Sequence, residues 1–423
     1  MRVLFIHQNF PAQFRYAAQT LTKRPDTDVL ALTDSSNKQQ IAGLNTGRYT
    51  APKPPPPGMS RSAATLVHRF QRGEAVAVAL VELKKRGFRP DVIVGHPGWG
   101  ELMLVKEVFP DTPLIAHAEY YYAAEGGDVG FDPEFPGASD GLRINLKAKN
   151  IPLMAALLDS EVAVAPTAWQ ASRFPDELAG KIRTIHEGIR TDIACPKADA
   201  TYDRGTGGRV FRAGDEVVTF VNRNLEPMRG FHIFMRALPG ILEARPEAHA
   251  VIVGADGVSY GAAAPNGETW KSLFLGEVDA RLPLDRVHFV GQVPYGDFIS
   301  LMQVSRLHIY ATYPFVLSWS MLEAMSSGAL VLGSSTPPVT EMIEHGKNGL
   351  LYDFFDVDGL TRSAIAALAD PAAYASIRAD ARRTIVERFD LGRVCLPAWL
   401  SLIETTAEGG RTTKGAVATA PSR

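Results

Sequence analysis

Tyr313-Pro314-Phe315-Val316-Leu317-Ser318-Trp319-Ser320-Met321-Leu322-Glu323-Ala324-Met325-Ser326-Ser327-Gly328, followed by Ala329-Leu330-Val331-Leu332-Gly333, is the stretch whose pattern decides the fold. Ser318 stands where a helix-capping serine belongs, the segment after it reads as a short helix, and the apolar run after Gly328 reads as a buried strand. A second apolar run, Leu307-His308-Ile309-Tyr310-Ala311, precedes the loop, so the order is strand, loop, helix, strand. Loops at the carboxyl ends of strands line the ligand crevice of open α/β sheets. Glu323, the acidic residue of that helix, is therefore placed to face a crevice, although a helix carboxylate taken alone is more often just solvated.

Working outward, 423 residues exceed what one core organises, so two domains of roughly 200 residues each are expected. Hydrophobic content of 46% and charged content of 21% are those of a globular chain. A formal net charge of −2 argues against nucleic acid as the partner. The two cysteines, Cys195 and Cys395, are too few and too far apart for a disulfide framework or a cysteine-based zinc site, which fits a reducing, cytoplasmic compartment. The opening Met1-Arg2-Val3-Leu4-Phe5-Ile6-His7 reads as a buried first strand rather than a signal peptide. No apolar segment approaches the ~20 residues that span a bilayer; peripheral contact with the inner membrane face stays open.

Strands are expected at 2–7, 28–32, 91–95, 113–116 and 161–165, with helices at 11–22, 62–85, 101–108, 142–158 and from Thr167. The run Ala51-Pro52-Lys53-Pro54-Pro55-Pro56-Pro57-Gly58 cannot be a regular element, because proline lacks the ladder donor. Polar, glycine-rich 199–215 reads as an interdomain linker. Strands then recur at 217–221, 248–253, 287–290, 307–310, 330–332 and 350–352. Alternating short strands and helices predict two doubly wound parallel-sheet α/β domains with ligand in the cleft between them.

The first strand of the second set empties into Asn222-Arg223-Asn224-Leu225-Glu226-Pro227-Met228-Arg229-Gly230 and then a helix. Two arginines at a strand end before a helix N-terminus suit a diphosphate, and two solvated loop arginines would look the same. Gly254 and Gly291 mark turns where backbone can approach a ligand. Gly346 and Gly349 read as left-handed helix stops. His7, His96 and His117 each stand at or just past a strand end, and no metal-ligand spacing accompanies them, so no metal is expected. Trp99, Tyr120, Tyr121 and Tyr122 can stack on an acceptor or pack at the rim.

The stretch Leu322-Glu323-Ala324-Met325 with Gly328, then Glu341 and Gly346-Lys347-Asn348-Gly349-Leu350-Leu351, closely resembles the C-terminal signature of family-4 retaining glycosyltransferases of the GT-B fold; 222–230, Gly254 and 287–294 fit in the same order. The resemblance is nearly continuous through the second domain. In the first it rests on strand order, His117 and Glu187-Gly188-Ile189-Arg190. It implies a Rossmann-like acceptor domain over 1–200 and a Rossmann-like donor domain over 201–405 whose last helices can pack back on the first; the end, 406–423, is rich in small and polar residues and is expected to be a disordered tail.

By the same resemblance, Glu323 binds the donor ribose, Arg229 the donor diphosphate, and His117 lies near the transferred sugar; these are the implied catalytic residues. Arg223, Asn224, Gly254, Phe315, Ser318 and Leu322 complete the implied donor site, and Asn9, Phe10, His96, Trp99 and Tyr120 the acceptor side. Three departures stand out. The family's first glutamate, eight residues before the second, corresponds to Phe315; its usual arginine falls on Asn224, with Arg223 beside it; and Asn9-Phe10-Pro11-Ala12 replaces a glycine pair.

The implied activity is metal-independent, retaining transfer from a nucleotide-diphosphate sugar, a co-substrate rather than a cofactor, to a sugar, lipid-linked glycan or other hydroxyl acceptor. Glycan, polysaccharide or glycoconjugate synthesis is the expected setting. A sugar-nucleotide 2-epimerase shares the architecture but needs acid/base carboxylates in the cleft, and a catalytically inactive sugar-nucleotide-binding protein fits the missing glutamate. Oligomeric state is not legible.

Overall fold

The computed structural model describes the backbone over residues 1–418 and side chains over 1–410. The chain divides into two compact units: Met1–Glu187 with the segment from Gly392 onward, and Gly188–Leu391. The first break thus falls before the expected 200/201 boundary. Among the described residues no helix is long and apolar enough to cross a membrane.

The first unit is built on β1 (Arg2–Ile6), β2 (Asp28–Asp34), β3 (Asn45–Tyr49), β4 (Val92–Gly95), β5 (Leu114–His117), β6 (Val162–Ala165) and β7 (Ile182–Thr184). Their order is β3-β2-β1-β4-β5-β6-β7, and every pairing is parallel. The central strands are continuous apolar runs because helices cover both faces, so no alternation with polar residues is needed. Helix Arg61–Lys85 is capped by Ser60 and helix Asp140–Asp159 by Ser139, each serine oxygen accepting from a first-turn amide. The expected helix at 101–108 shrinks to Val105–Val108, with Glu101 in turns before it.

Helix Leu396–Ala418 belongs to this unit. It buries Trp399, Ile403 and Ala407 against Val3, Phe5 and Phe14. The disorder expected from 406 is therefore corrected: the backbone is helical to 418, and 419–423 lie outside the described residues. Composition, rich in glycine and threonine, misled where a four-residue spacing of buried side chains carries the helix inward.

The second unit starts with a two-stranded antiparallel sheet, β8 (Thr201–Tyr202) and β9 (Phe211–Arg212), inside the segment expected to be a linker. Tyr202 and Phe211 are buried, which anchors that segment. Its main sheet comprises β10 (Val217–Asn224), β11 (His249–Ala255), β12 (Val287–Gly291), β13 (Leu307–Tyr310), β14 (Leu330–Ser334) and β15 (Leu350–Tyr352), in the order β12-β11-β10-β13-β14-β15, all parallel. Strand order reverses between β1 and β4 in the first unit and between β10 and β13 in the second. Such switch points are where open sheets bind ligands, just beyond the strand carboxyl ends.

Two glycines show how tightly the second unit is built near its switch point. Gly230, at φ 67°, opens helix Phe231–Ala244, and a Cβ there would meet the Ala311 Cβ at 2.2 Å. Gly230→Ala is expected to cost about 2–4 kcal/mol, the sum of a left-handed alanine and an overpacked contact, read as a lowered denaturation midpoint of this unit. Gly349 has no left-handed backbone, contrary to expectation. Its Cβ would instead meet Ile343 at 2.8 Å, so packing demands the glycine, while Gly346 does take φ 76° in the turn closed by the His345–Gly349 bridge.

Candidate active site

In the second unit, the chain leaving β10 and the chain leaving β13 meet at the switch point. Arg229 ends the short turn Pro227–Arg229. Its Nη1 donates to the Thr312 hydroxyl and to the Val316 carbonyl, both at 2.9 Å, and so crosses from one strand's loop to the other's. The guanidinium carbon lies 5.4 Å from the Tyr260 ring centroid and 5.4 Å from that of Phe315. Arg229 is only 6% exposed, yet among the described residues it has no carboxylate partner, and its Nε and Nη2 make no hydrogen bond. A buried cation held only by neutral groups is stabilised best by a ligand anion.

Glu226 is buried and accepts from the backbone amides of Ser259 (3.3 Å), Tyr260 (3.3 Å) and Gly261 (3.1 Å), fixing the loop that carries Tyr260. Asn224 donates from Nδ2 to the Ser259 hydroxyl at 2.6 Å. Arg223, one residue away, is exposed. Gly254 is needed for packing, since a Cβ there would meet the Leu225 side chain at 2.6 Å.

Helix Trp319–Ser327 begins at Ser318, whose hydroxyl accepts from the Ser320 amide and whose own amide donates to the Tyr310 hydroxyl at 2.9 Å. Glu323 is 7% exposed and its Oε1 accepts from the Tyr295 hydroxyl at 2.8 Å. Burial raises its pKa to about 7, against a smaller opposing pull from the Tyr295 hydrogen bond. Its Oε2 has no partner among the described residues. Leu322 is wholly buried in the hydrophobic core, so its side chain packs the helix and cannot touch a donor, which corrects the expected role.

In the first unit, His7, His96 and His117 end adjacent strands β1, β4 and β5, so one edge of the sheet collects three rings. His7 and His96 are edge to face at 5.3 Å between centroids, and His96 and His117 stack at 5.4 Å. His96 Nδ1 accepts from the Gly98 amide at 3.0 Å, so its Nε2–H donates to Glu119 Oε2 at 3.3 Å. His117 Nε2 pairs with Glu187 Oε1 at 2.9 Å, and Trp399 stacks on the ring at 6.1 Å. Trp99 covers His96 at 4.7 Å and is half-buried. Asn9 is exposed and donates its amide to His7 Nδ1 at 2.9 Å.

Two acceptor-side expectations are corrected. Phe10 is fully buried against Phe5 in the core, and Tyr120 is 5% exposed with its hydroxyl donating to Asp128 at 2.9 Å, so neither ring is free to stack on an acceptor. Sequence reasoning missed Glu226, Tyr260, Tyr295 and Thr312, and it did not single out Glu119. Only Glu226, an acid directly before the proline of the arginine loop, carried a local signal.

Burial depresses the pKa values of His7 and His96, which stay neutral in the folded unit. Burial is the largest single influence and pushes Glu119 upward, but the hydrogen bond from His96 together with electrostatic attraction to His96, His117 and His7 outweighs it, so this carboxyl titrates below its ordinary range. The signs agree. A histidine depressed on folding makes stability fall as pH drops below its unfolded value of 6.5, and a depressed carboxyl adds a loss below 4.5. The contribution of these groups to the melting temperature is expected to decline from pH 7 to pH 4, so the wild type should lose more between pH 7 and pH 5 than His7→Phe does in parallel thermal scans.

The parallel sheets, the switch-point sites and the two-unit build define a protein of the GT-B class. Two family models match in tandem, glycosyl transferase family 4 group over residues 25–194 and glycosyl transferases group 1 over 209–384; the chain belongs to this group of glycosyltransferases. It is similar to spore coat protein SA of Bacillus subtilis (strain 168), 28% identical over 200 residues, covering 43% of this chain and 48% of the relative. It also resembles D-inositol 3-phosphate glycosyltransferase of Corynebacterium jeikeium (strain K411), 26% identical over 178 residues, covering 41% and 40%. The chain thus spans less than half the length of these curated relatives. Among solved structures, Anabaena HepE in complex with UDP aligns over 97% of this chain and 100% of its own, with TM-score 0.65 and 17% identity. Sucrose-phosphate synthase of Thermosynechococcus elongatus aligns over 99% and 100%, with TM-score 0.67 and 16% identity. At these identities the structures speak for the fold.

Proposed function

We propose that this chain is a retaining, metal-independent glycosyltransferase that moves a sugar from a nucleotide-diphosphate sugar to an acceptor hydroxyl, in glycan, polysaccharide or glycoconjugate synthesis. One observation carries the reading: the buried Arg229 guanidinium, with no carboxylate partner among the described residues and two unused donor groups, at the carboxyl ends of β10 and β13. The HepE structure with UDP, a chain of the same fold, supports a nucleoside diphosphate as the anion.

In this mechanism the bond between the anomeric carbon and the diphosphate oxygen breaks, and its electron pair stays on the diphosphate. Arg229 stabilises that growing charge through Nε and Nη2. The acceptor hydroxyl oxygen bonds to the anomeric carbon from the face the leaving group vacates, and its proton passes to the departing diphosphate. Glu323, ionised, accepts two hydrogen bonds from the ribose hydroxyls through Oε1 and Oε2, with Tyr295 orienting it. Within the first unit, His117 is held by Glu187 and Trp399.

The test incubates the protein with UDP-, GDP- and ADP-sugars, with and without a panel of sugar and lipid-linked acceptors, and determines the anomeric configuration of the product by NMR. Acceptor-dependent release of the nucleoside diphosphate with retained configuration is expected. An epimerised donor formed without acceptor would identify the 2-epimerase instead, and donor binding without turnover would identify a catalytically inactive binding protein.

A further inference from the structure

We propose that Tyr260 and Phe315 form an aromatic corner that positions Arg229 for the diphosphate, with Phe315 holding the cation from the place where the family motif has an acid. This inference rests on the reading that Arg229 binds the donor diphosphate. The two rings lie 4.9 Å apart at 57°, and the guanidinium sits 5.4 Å from each. Ring faces hold a cation through their quadrupole without occupying its N–H groups. Nη1 is committed to Thr312 and Val316, which leaves Nε and Nη2 with their charge undiminished.

A carboxylate at position 315 would do the opposite. Within reach of the guanidinium it would form an ion pair, neutralise the buried cation and compete with the phosphate oxygens. Tyr260 belongs to the same device because its loop has no secondary structure of its own and is fixed by Glu226, whose oxygens take the amides of Ser259, Tyr260 and Gly261, and by Asn224 through Ser259. Tyr260 itself is 46% exposed, so truncating its ring removes one wall of the corner without opening the core. Tyr260 and Phe315 are positioning residues; Arg229 makes the contact.

Calorimetric titration of UDP, GDP and ADP against the matching monophosphates tests this on the full chain. Tyr260→Ala and Phe315→Leu are expected to weaken the bound diphosphate about tenfold while leaving the monophosphate affinity within about twofold, a split that general loosening of the site would not produce. Tyr260→Phe is expected to restore wild-type binding. Phe315→Glu, which reinstates the family acid, is expected to weaken the diphosphate more than Phe315→Leu does. Wild-type diphosphate affinity in Tyr260→Ala and Phe315→Leu, with selective loss in Arg229→Ala, overturns the aromatic corner and leaves the donor-site reading standing. Unchanged affinity in Arg229→Ala, or no diphosphate bound by the wild type, overturns the reading and the corner together.

Discussion

Arg229→Ala is expected to lower kcat/KM for sugar transfer by about 10²–10³, with most of the loss in kcat. The reason is where charge develops. A ground-state sugar nucleotide already carries two negative charges on its diphosphate, but cleavage adds a further one on the departing oxygen, and a preorganised cation gains most at that moment. Arg229 is fixed by Thr312, Val316 and two rings, so it does not reorganise as the charge grows. Arg229→Lys is expected to recover only part of the rate, because an ammonium lacks the two-pronged geometry and stacks poorly on the corner. Steady-state kinetics with the donor varied at saturating acceptor would separate kcat from KM. Unaltered kcat in Arg229→Ala would remove this residue from the chemistry.

Glu323 carries the other large effect. Glu323→Ala is expected to weaken donor binding by about 10²-fold, the loss of two hydroxyl hydrogen bonds to a charged acceptor. Its pKa near 7 makes the interaction pH-dependent, with a definite sign. The folded state holds the proton more tightly than the unfolded chain, where the ordinary value is 4.5, so ionising Glu323 costs stability that grows as pH rises from 4.5 to about 7 and is constant above. Ligand hydroxyls offset that cost. Donor affinity should therefore rise as pH increases through 7 and level off, and Glu323→Gln should bind weakly and flatly over the same range. At pH 8 the same Glu323→Gln variant should be more stable to denaturant than the wild type, by about 3 kcal/mol at most. A residue that costs stability and improves binding is the signature of a site kept for function.

Much of this architecture was legible because both sheets are parallel and buried on both faces, which turns central strands into bare apolar runs such as Val92–Gly95 and Leu330–Ser334. What escaped was at the edges. Asn45–Tyr49 and Ile182–Thr184 are the outer strands of the first sheet, half covered and polar, so no apolar run announces them. The segment 199–215 reads as a linker by composition, and only the buried Tyr202 and Phe211 tie it to the second unit.

At the site, Arg229, Phe315 and Glu323 could be singled out because they sit in continuous motif-bearing stretches after strands. Tyr260 could not, since a long irregular loop delivers it and nothing near it in sequence says that it will lie against Arg229. Leu322 and Phe10 failed for a related reason: sequence position beside a functional residue does not say which way the side chain faces, and both face the core. The histidines of the first unit were visible as strand endings, but their stacking follows from the order β1-β4-β5, which no local pattern specifies.

The measurement that tests the central claim most directly is a thermal-shift screen of UDP-, GDP- and ADP-sugars against the wild type and Arg229→Ala in parallel. Binding to the folded chain alone contributes about 2.7 kcal/mol at a hundredfold excess over Kd, enough for a rise of several degrees. One sugar nucleotide is predicted to raise the wild-type melting temperature and to raise that of Arg229→Ala by clearly less. No rise with any of them, or an equal rise in both proteins, would contradict the assignment of the second unit's switch point as the donor site.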